Sequence, residues 1–493
     1  MSQRERQARR ERLKALREAG VDPYPARVGP REPIAAICER FGQRDAEFLD
    51  AHPERVGVAG RVMAVRSFGK LVFATLLEAG SRIQISANKA EVDAELFGFI
   101  KGLDVGDFVR VEGPVWRTKK GELTVGAHEA ELLAKGLRPL PEKWHGLTDV
   151  EARFRQRYLD ILVNEDARRI AVLRSRVVTA MRAFLDGRGF LEVETPVLQP
   201  LYGGAAARPF TTYHNTYDQT LYLRISDELY LKRLVVSGLD RVYEIGHVFR
   251  NEGVSRKHNP EFTMMECYQA YADYNDIMEL TQSMVQEIAA RVLGGTRIEF
   301  QGQAIELGGE WPRIPLRDVI REQTHVDILE HADLGALRDA VRGAGLDPGD
   351  APTWGKLVDL LFSEHVEPKL IQPTVITDYP LELSPLAKRS TRDPRLVERF
   401  EPYLAGMELG NAFSELNDPE DQRGRLEATR RDREAGDEEA HPLDEDFLEA
   451  LELGMPPTGG LGVGVDRLVM VLADAPSLRE VIAFPHMRPA EES

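Results

Sequence analysis

The hydrophobic pattern divides the chain before any single residue is considered. A charged opening (Arg4, Arg6, Arg9, Arg10, Arg12, Lys14, Arg17) reads as a helix that Gly20 ends and Pro23 and Pro25 break. Residues 56–67 then alternate, with Val56, Val58, Val62 and Ala64 expected on one face of a strand. Strands over 71–77 and 82–86 follow, separated by a turn at Ala79-Gly80. Over 92–101 the period becomes helical and places Val92, Leu96, Phe97 and Ile100 together. Two more strands are predicted over 107–116 and 122–127, joined by the basic turn Arg117-Thr118-Lys119-Lys120-Gly121. A loop carrying Pro139, Pro141 and Gly146 leads to a second region. That region opens on a helical stretch ending at Gly187-Arg188-Gly189, after which short strands and helices mix without internal repeat. The tract 420–450 is dense in charge (Arg423, Arg430, Arg431, Glu438, Glu439, Asp444, Glu445, Asp446) and reads as a solvated helical face.

Three strands, a helix and two strands is the order of a small Greek-key barrel of the OB type. Such barrels hold single-stranded nucleic acid by stacking bases on aromatics in a positive groove. The basic turn favours that role over a purely structural barrel. The second region lacks a βαβ rhythm, so an antiparallel α+β domain is expected there. Composition sharpens the picture. The 493 residues are 42% apolar and 29% charged, which is globular, and the net charge of −17 argues against a polyanion binder held by bulk charge. Residues 1–150 nevertheless carry 25 basic and 22 acidic side chains, leaving the remainder at net −20. A nucleic-acid contact therefore belongs in the first third. Two cysteines, Cys38 and Cys267, cannot build a disulfide framework or a thiolate metal site. With no apolar run of membrane-spanning length and no signal-type opening, a cytoplasmic setting is expected.

Several chemistries fail on spacing. No Walker-type loop, HExxH or CxxC occurs, and Gly460, Gly462 and Gly464 lack the third glycine of a dinucleotide loop. What remains is a strand–loop–strand outline over 249–268, with Arg250 near the turn and Phe262, Met264 and Glu266 alternating on the return strand. An arginine there offers a rigid donor fork to phosphate or carboxylate, and a phenylalanine offers a flat base a stacking surface. Further on, 459–467 packs four glycines before Arg467, permitting close backbone approach. Singly, each feature has an adequate structural explanation.

Together they resemble a family. The segment Gly189-Phe190-Leu191-Glu192-Val193-Glu194-Thr195-Pro196 is similar to motif 1 of class II aminoacyl-tRNA synthetases, 249–268 to motif 2 and 460–467 to motif 3. Class I signatures are absent: Ile245-Gly246-His247 lacks the leading His, and no Lys-Met-Ser-Lys-Ser occurs. An N-terminal OB barrel marks the lysine, aspartate and asparagine subgroup. Within it, Arg208-Pro209-Phe210, the stretch 229–234 and Leu409-Gly410-Asn411-Ala412-Phe413-Ser414-Glu415-Leu416-Asn417-Asp418 resemble the lysyl enzymes. The resemblance implies an α+β class II catalytic domain built on an antiparallel sheet over 151–493. Ahead of it lie a helical lead-in over 1–55, an anticodon-binding barrel over 56–138 and a linker over 139–150.

The resemblance also implies the chemistry. ATP and L-lysine would form an adenylate, and lysine would pass to tRNA(Lys) in a homodimer paired through residues 167–189 and the motif 1 strand. It assigns Arg250 to the lysine carboxylate and α-phosphate and Arg467 to the γ-phosphate, the two residues closest to the catalytic step. Phe262 would stack on adenine, with Glu252, His258, Asn259 and Glu408 lining the nucleotide. Glu401 and Glu408 would hold Mg²⁺, a hard cation suited to carboxylates and phosphate oxygens. Glu415 with the Tyr268 hydroxyl is expected at the lysine ε-ammonium, and Glu228 with the backbone at Gly204 at the α-amino group. Asn411 would help hold the carboxylate, with Phe413 and Glu266 also in the pocket. In the barrel, Phe73 would stack the middle anticodon base and Gln84 read its edge, with Arg61, Arg66 and Glu112 nearby. Two departures stand out: Ser226-Asp227 precedes Glu228, and Leu201-Tyr202 precedes Gly203-Gly204. Alternatives remain at this point: an aspartyl or asparaginyl enzyme, a paralogue that lysylates a protein, or a non-catalytic RNA-binding protein.

Overall fold

The alternating first third closes into a barrel. The computed structural model describes residues 3–141, 147–434 and 442–489, and the chain divides into two units, Met1–Gly146 and Leu147–Ser493. Gly146 and part of the 139–150 linker therefore lie outside the described residues, as do Glu438 and Glu439. Strands β1 (Arg55–Phe68), β2 (Leu71–Glu78), β3 (Ser81–Asn88), β4 (Phe108–Arg117), β5 (Leu123–Gly126) and β6 (Glu129–Ala134) run in the order β1-β2-β3-β5-β4-β6. A further β1–β4 pairing closes the ring. Ala79 and Gly80 both take positive φ (48° and 95°), as a tight hairpin between β2 and β3 requires. The helix Ala94–Lys101 connects β3 to β4, capped by the Asp93 side chain on the Leu96 N–H.

One expectation fails locally. The β1–β2 ladder skips a residue between Val62 and Ala64, so Val62 faces Leu76 while Ala64 faces Thr75. This bulge reverses the side-chain parity: Val56, Val58 and Val62 point into the core, Val65 packs on it, and Ala64 turns to the outer face. Strand β6 was not foreseen; its Glu, Ala and Leu residues carry no strand propensity, and pairing with β4 overrides that. The lead-in also belongs to the barrel core. Helices α1 (Gln3–Glu18), α2 (Ile34–Phe41) and α3 (Ala46–Ala51) precede β1, and Ile34, Ile37, Phe41 and Leu49 share one core with the barrel valines. Arg9 on α1 is buried and donates to the carbonyls of Val105 and Gly136 (2.9 and 3.2 Å), so one arginine of the charged helix is a clamp. Numbering the helix at 94–101 as α4, the first unit is complete.

In the second unit, α5 (Glu165–Asp186) precedes the edge strand β7 (Leu191–Glu192). Helix α6 (Glu228–Val236) leads into the hairpin of β8 (Arg241–Phe249) and β9 (Glu261–Ala270), which α7 (Tyr274–Leu293) follows. Strands β10 (Arg313–Pro315), β11 (Thr374–Pro380), β12 (Leu396–Leu404), β13 (Gly410–Ser414) and β14 (Thr458–Gly464) complete the main sheet, and α8 (Val465–Leu472) follows β14 directly. The order is β10-β11-β12-β13-β14-β9-β8-β7, with Met407–Glu408 paired beside β12. All pairings are antiparallel except the two at the edges, β10–β11 and β7–β8. Helices α5, α7 and α8 bury Val177, Phe184, Met284, Ile288, Val469 and Val471 against one face of the sheet; α6 and the helix Glu445–Glu452 cover only part of the other, which carries the site. The charged tract forms Pro419–Glu434 and Glu445–Glu452, where Arg423 pairs with Glu445 at 2.8 Å. No described helix is long and apolar enough to cross a membrane.

Candidate active site

The free face of the sheet owes its depth to glycine. In β14, Leu461 and Val463 point into the core, so Gly460, Gly462 and Gly464 point the other way. Register places Gly460 between Tyr268 and Phe413, and Gly462 between Glu266 and Asn411. A Cβ on Gly460 would collide with the Glu415 carboxylate and the Tyr268 ring. These strands floor a cavity that brings together every residue expected at the nucleotide, the metal and the amino acid: Gly204, Glu228, Arg250, Glu252, His258, Asn259, Phe262, Glu266, Tyr268, Glu401, Glu408, Asn411, Phe413, Glu415 and Arg467. They come from segments up to 263 residues apart, from 204 to 467.

One end of the cavity is cationic. The Arg250 guanidinium lies over the Phe262 ring, 5.1 Å from its centroid, and its Nε is buried without a partner. Burial holds its pKa below the ordinary arginine value, so an anion arriving there is stabilised by a desolvated charge. Arg467, in the first turn of α8, donates to the Glu408 carbonyl at 2.8 Å and pairs with its carboxylate at 3.2 Å. The next residue back, Asp466, accepts from the Thr263 N–H at 2.8 Å and pairs with Arg174, tying α8 to β9 and α5. His258 shares a 2.8 Å hydrogen bond with the Ser255 hydroxyl; burial and the nearby Arg467 and Lys257 push its pKa down. Asn259 donates to the Glu261 carbonyl at 2.5 Å and keeps a buried, unpartnered Oδ1.

Beside this end stand the two carboxylates at 401 and 408. Glu401 accepts the Tyr379 hydroxyl at 2.8 Å, the Tyr403 hydroxyl, and Arg399 Nη2 at 2.5 Å. Burial raises its pKa, and the field of Glu408 adds to that. Arg399 in turn donates to Asn411 Oδ1 at 2.9 Å, fixing which way that amide faces.

The opposite end is rich in buried carboxyls. Glu228, Glu266 and Glu415 line it, with Asp227 and Glu244 buried behind. Against these five stand two buried cations, Lys232 and Arg224. Lys232 is fully buried between Glu228 (2.5 Å) and Glu415; those two carboxylates outweigh the cost of burial and keep its pKa above the ordinary lysine value. One ammonium cannot neutralise both, and Glu415 Oε1 remains unpartnered beside Gly460. The Tyr268 hydroxyl, expected with Glu415 at the ε-ammonium, donates to Glu266 Oε2 at 3.2 Å. Glu266 also accepts from Ser226 Oγ (2.8 Å) and the Asp227 N–H (3.0 Å), yet burial still pushes its pKa up to about 7. Gly204 has φ +86°, and a Cβ there would press on Ser226 Oγ and Glu228 Cβ at 2.7 and 2.9 Å. A space short of positive charge at one end and lined with arginine at the other fits a cation that also bears an anionic group.

Sequence reasoning missed Lys232, Arg224, Arg399 and the tyrosines that hold Glu401. Lys232 had a signal: it lies four residues after Glu228 on a helix, the spacing that puts two side chains on one face. Arg399 and Tyr403 had one too, each two residues from Glu401 on the same strand, whereas Tyr379 and Arg224 are brought in only by long-range contacts.

In the barrel, register sets Arg66, Phe73 and Ser86 in a row across β1, β2 and β3. Gln84 is two residues along from Ser86 and donates to Thr124 at 2.9 Å. Trp116, not singled out from sequence, shares this face and donates to Ser86 at 3.3 Å. Phe68 meets Phe73 edge-on at 6.2 Å and is largely exposed. Arg61 and Glu112 stand apart from this patch. Arg61 lies over the Phe108 ring at 4.2 Å and donates to the Gly106 carbonyl, while Glu112 pairs with Arg110 and with Arg55 at 3.5 Å. Arg117 of the basic turn is also occupied, donating to the carbonyls of Arg44, Gly42 and Gly121.

Comparison with known proteins agrees with this geometry. A family described as "tRNA synthetases class II (D, K and N)" matches residues 149–488, and one described as "OB-fold nucleic acid binding domain" matches 56–139. A lysine–tRNA ligase of Roseiflexus sp. (strain RS-1) is 53% identical over 487 residues, covering 98% of this chain and 99% of that protein. The lysine–tRNA ligases of Pelotomaculum thermopropionicum and Bacillus subtilis (strain 168) are 50% and 49% identical, each over 98% of this chain and over 94% and 97% of their own. With its antiparallel sheet, three motifs around one cavity and an OB barrel ahead of them, the chain belongs to the class II tRNA synthetases of the D, K and N group.

Proposed function

We infer that the chain is a lysine–tRNA ligase. It joins the carboxylate of L-lysine to the α-phosphorus of ATP, expelling pyrophosphate, and then passes the lysyl group to the 3′-terminal adenosine of tRNA(Lys), expelling AMP. The observation that carries this reading is the surplus of buried carboxyls over cations at the closed end of the cavity. An aspartate or asparagine pocket would need the opposite sign or none. A lysine ammonium supplies the missing charge, and burying it there without Glu415 would be prohibitive.

The remaining roles follow from position. Arg250 spans the lysine carboxylate and the α-phosphate, bringing two anions into line and stabilising charge on the transferring phosphoryl group. Phe262 stacks on adenine, and Arg467 meets the terminal phosphate, with Glu252, His258 and Asn259 around the nucleotide. Glu228 and Gly204 hold the α-amino group, and Asn411 the carboxylate. No general base is needed, because the attacking carboxylate is already an anion.

Glu401 and Glu408 fit Mg²⁺. Both line the cavity, they repel one another, and Glu401 is held rigid by three donors. Among the described residues no cluster of three acidic, His or Cys side chains forms an all-protein cation site, so phosphate oxygens would complete the shell. When bound, the ion neutralises phosphate charge.

The barrel over 56–138 reads the anticodon through Phe73, Gln84 and Arg66. The unit over 151–493 carries the chemistry, and 139–150 joins them. A homodimer is supported by Val172, Leu191, Val197 and Leu198, apolar residues left exposed on the motif 1 segment and its flanks. A cytoplasmic setting suits this function and the unpaired thiols Cys38 and Cys267. The test is ATP–pyrophosphate exchange with each of the twenty amino acids: lysine alone should support rapid exchange, and a preference for aspartate or asparagine would overturn the reading.

A further inference from the structure

Asp227 departs from the family pattern, and its carboxyl is poorly provided for. It is fully buried, neither oxygen accepts a hydrogen bond, and its ion-pair partner is Arg224 Nη1 at 3.0 Å. That nitrogen is shared: it lies closer to Glu244, at 2.5 Å, while Arg224 Nε serves the His247 carbonyl at 2.8 Å. The Asp227 N–H donates to Glu266 Oε1, which ties Asp227, buried behind the wall, to a carboxyl that lines the amino-acid pocket. The charged groups acting on it are Glu266 from β9, Glu244 from β8 and Arg224 just ahead of α6. Lys232 is already committed to Glu228 and Glu415. A carboxylate with no hydrogen-bond donor and part of one guanidinium, facing other buried carboxylates, does not stay ionised.

We propose that Asp227 holds a proton while the amino-acid pocket is empty and releases it to solvent when the diammonium substrate binds, because two positive charges brought up beyond Glu266 favour the ionised carboxylate. The step breaks the carboxyl O–H bond, the proton goes to water, and no other bond changes. Asp227 is thus a positioning residue for substrate charge, and the proposal rests on the lysine reading above. Burial and Glu266 raise the Asp227 pKa to about 9, whereas Glu266 sits at about 7. At pH 8 the empty pocket therefore keeps a proton on the Asp227 side of this pair.

The experiment is calorimetric titration of the full chain with L-lysine at pH 8 in buffers of differing ionisation enthalpy, for the wild type and Asp227→Asn. Proton release by lysine itself is common to both and cancels. The wild type should release close to one proton more per lysine bound. By linkage, the ratio of Kd in the variant to Kd in the wild type should rise about tenfold between pH 7.5 and 8.5. A merely structural role would leave that ratio flat. Equal proton release in the two proteins, or a constant ratio, overturns the proposal. If Asp227→Asn does not fold, Asp227→Ser takes its place in the same comparison, with the same two outcomes. Failure of the wild type to bind lysine overturns the lysine pocket itself, a result distinct from binding with an unchanged proton count.

Discussion

Replacing Glu415 by Gln keeps the shape of the pocket and removes one charge from its end. Glu415 is 2% exposed, contacts Lys232 with one oxygen and leaves Oε1 free beside Gly460. In Glu415→Gln, Lys232 keeps Glu228 at 2.5 Å, so the internal ammonium stays paired and the fold should survive. The substrate ammonium, however, would be desolvated against an amide. Two unit charges about 4 Å apart interact by about 4 kcal/mol at an effective dielectric near 20. Removing one partner of a buried, hydrogen-bonded pair costs about 2–5 kcal/mol in practice. At about 1.4 kcal/mol per decade, kcat/KM for lysine should fall by roughly 30-fold to several thousand-fold. The KM for ATP should barely move, since Phe262, Arg250 and Arg467 lie at the other end of the cavity. Neutral analogues of lysine should lose most of their disadvantage in this variant. The assay is pyrophosphate exchange at varied lysine and varied ATP. Wild-type lysine kinetics in Glu415→Gln, or equal losses for lysine and ATP, would refute the charge argument.

Other perturbations have equally definite outcomes. Lys232→Met leaves Glu228 and Glu415 buried without their cation and should cost about 3–5 kcal/mol of stability at pH 7. Their folded-state pKa values would then lie above the unfolded ones, so the folded protein binds more protons and the loss should shrink toward pH 5 and grow toward pH 8. Urea unfolding at both pH values checks this, and a small, pH-independent change would contradict it. Gly460→Ala places a methyl against Glu415 and Tyr268 and should raise KM for lysine while leaving KM for ATP near its wild-type value, measured by the same exchange assay. Phe73→Ala should weaken tRNA charging by about 1–3 kcal/mol with exchange unchanged. Equal damage to both would mark Phe73 as a barrel core residue. Sedimentation at micromolar concentration should show a dimer, and monomer alone would contradict the pairing through motif 1.

Much of this was legible in one dimension, for identifiable reasons. Strands β1 to β5 alternate cleanly, and Gly460, Gly462 and Gly464 announce a surface that must stay bare because glycine every second residue empties one face of a strand. Motif residues such as Arg250 and Phe262 are local to one hairpin, so their spacing survives in the sequence. The bulge at residue 63 did not announce itself, since nothing in Val62-Met63-Ala64 breaks the alternation. Nor did β6, where helix-favouring residues are drafted into a strand by β4. The harder losses were in the site. Arg224 and Glu244 meet only because β8 lies beside the segment before α6, and Arg399 reaches Asn411 only because β12 pairs with β13. Arg61 and Arg117 show the converse: basic residues that look free in sequence are already engaged with backbone carbonyls.

The claim that a buried surplus of carboxyls selects the substrate is tested most directly by comparing L-lysine with L-norleucine, which keeps the side-chain carbons and lacks the ammonium. In wild-type pyrophosphate exchange, kcat/KM for lysine should exceed that for norleucine by about 10⁴-fold, because norleucine leaves Glu415 and its neighbours buried without their counter-ion. A ratio within about tenfold would mean that shape alone fills the pocket and that its charge does not choose lysine.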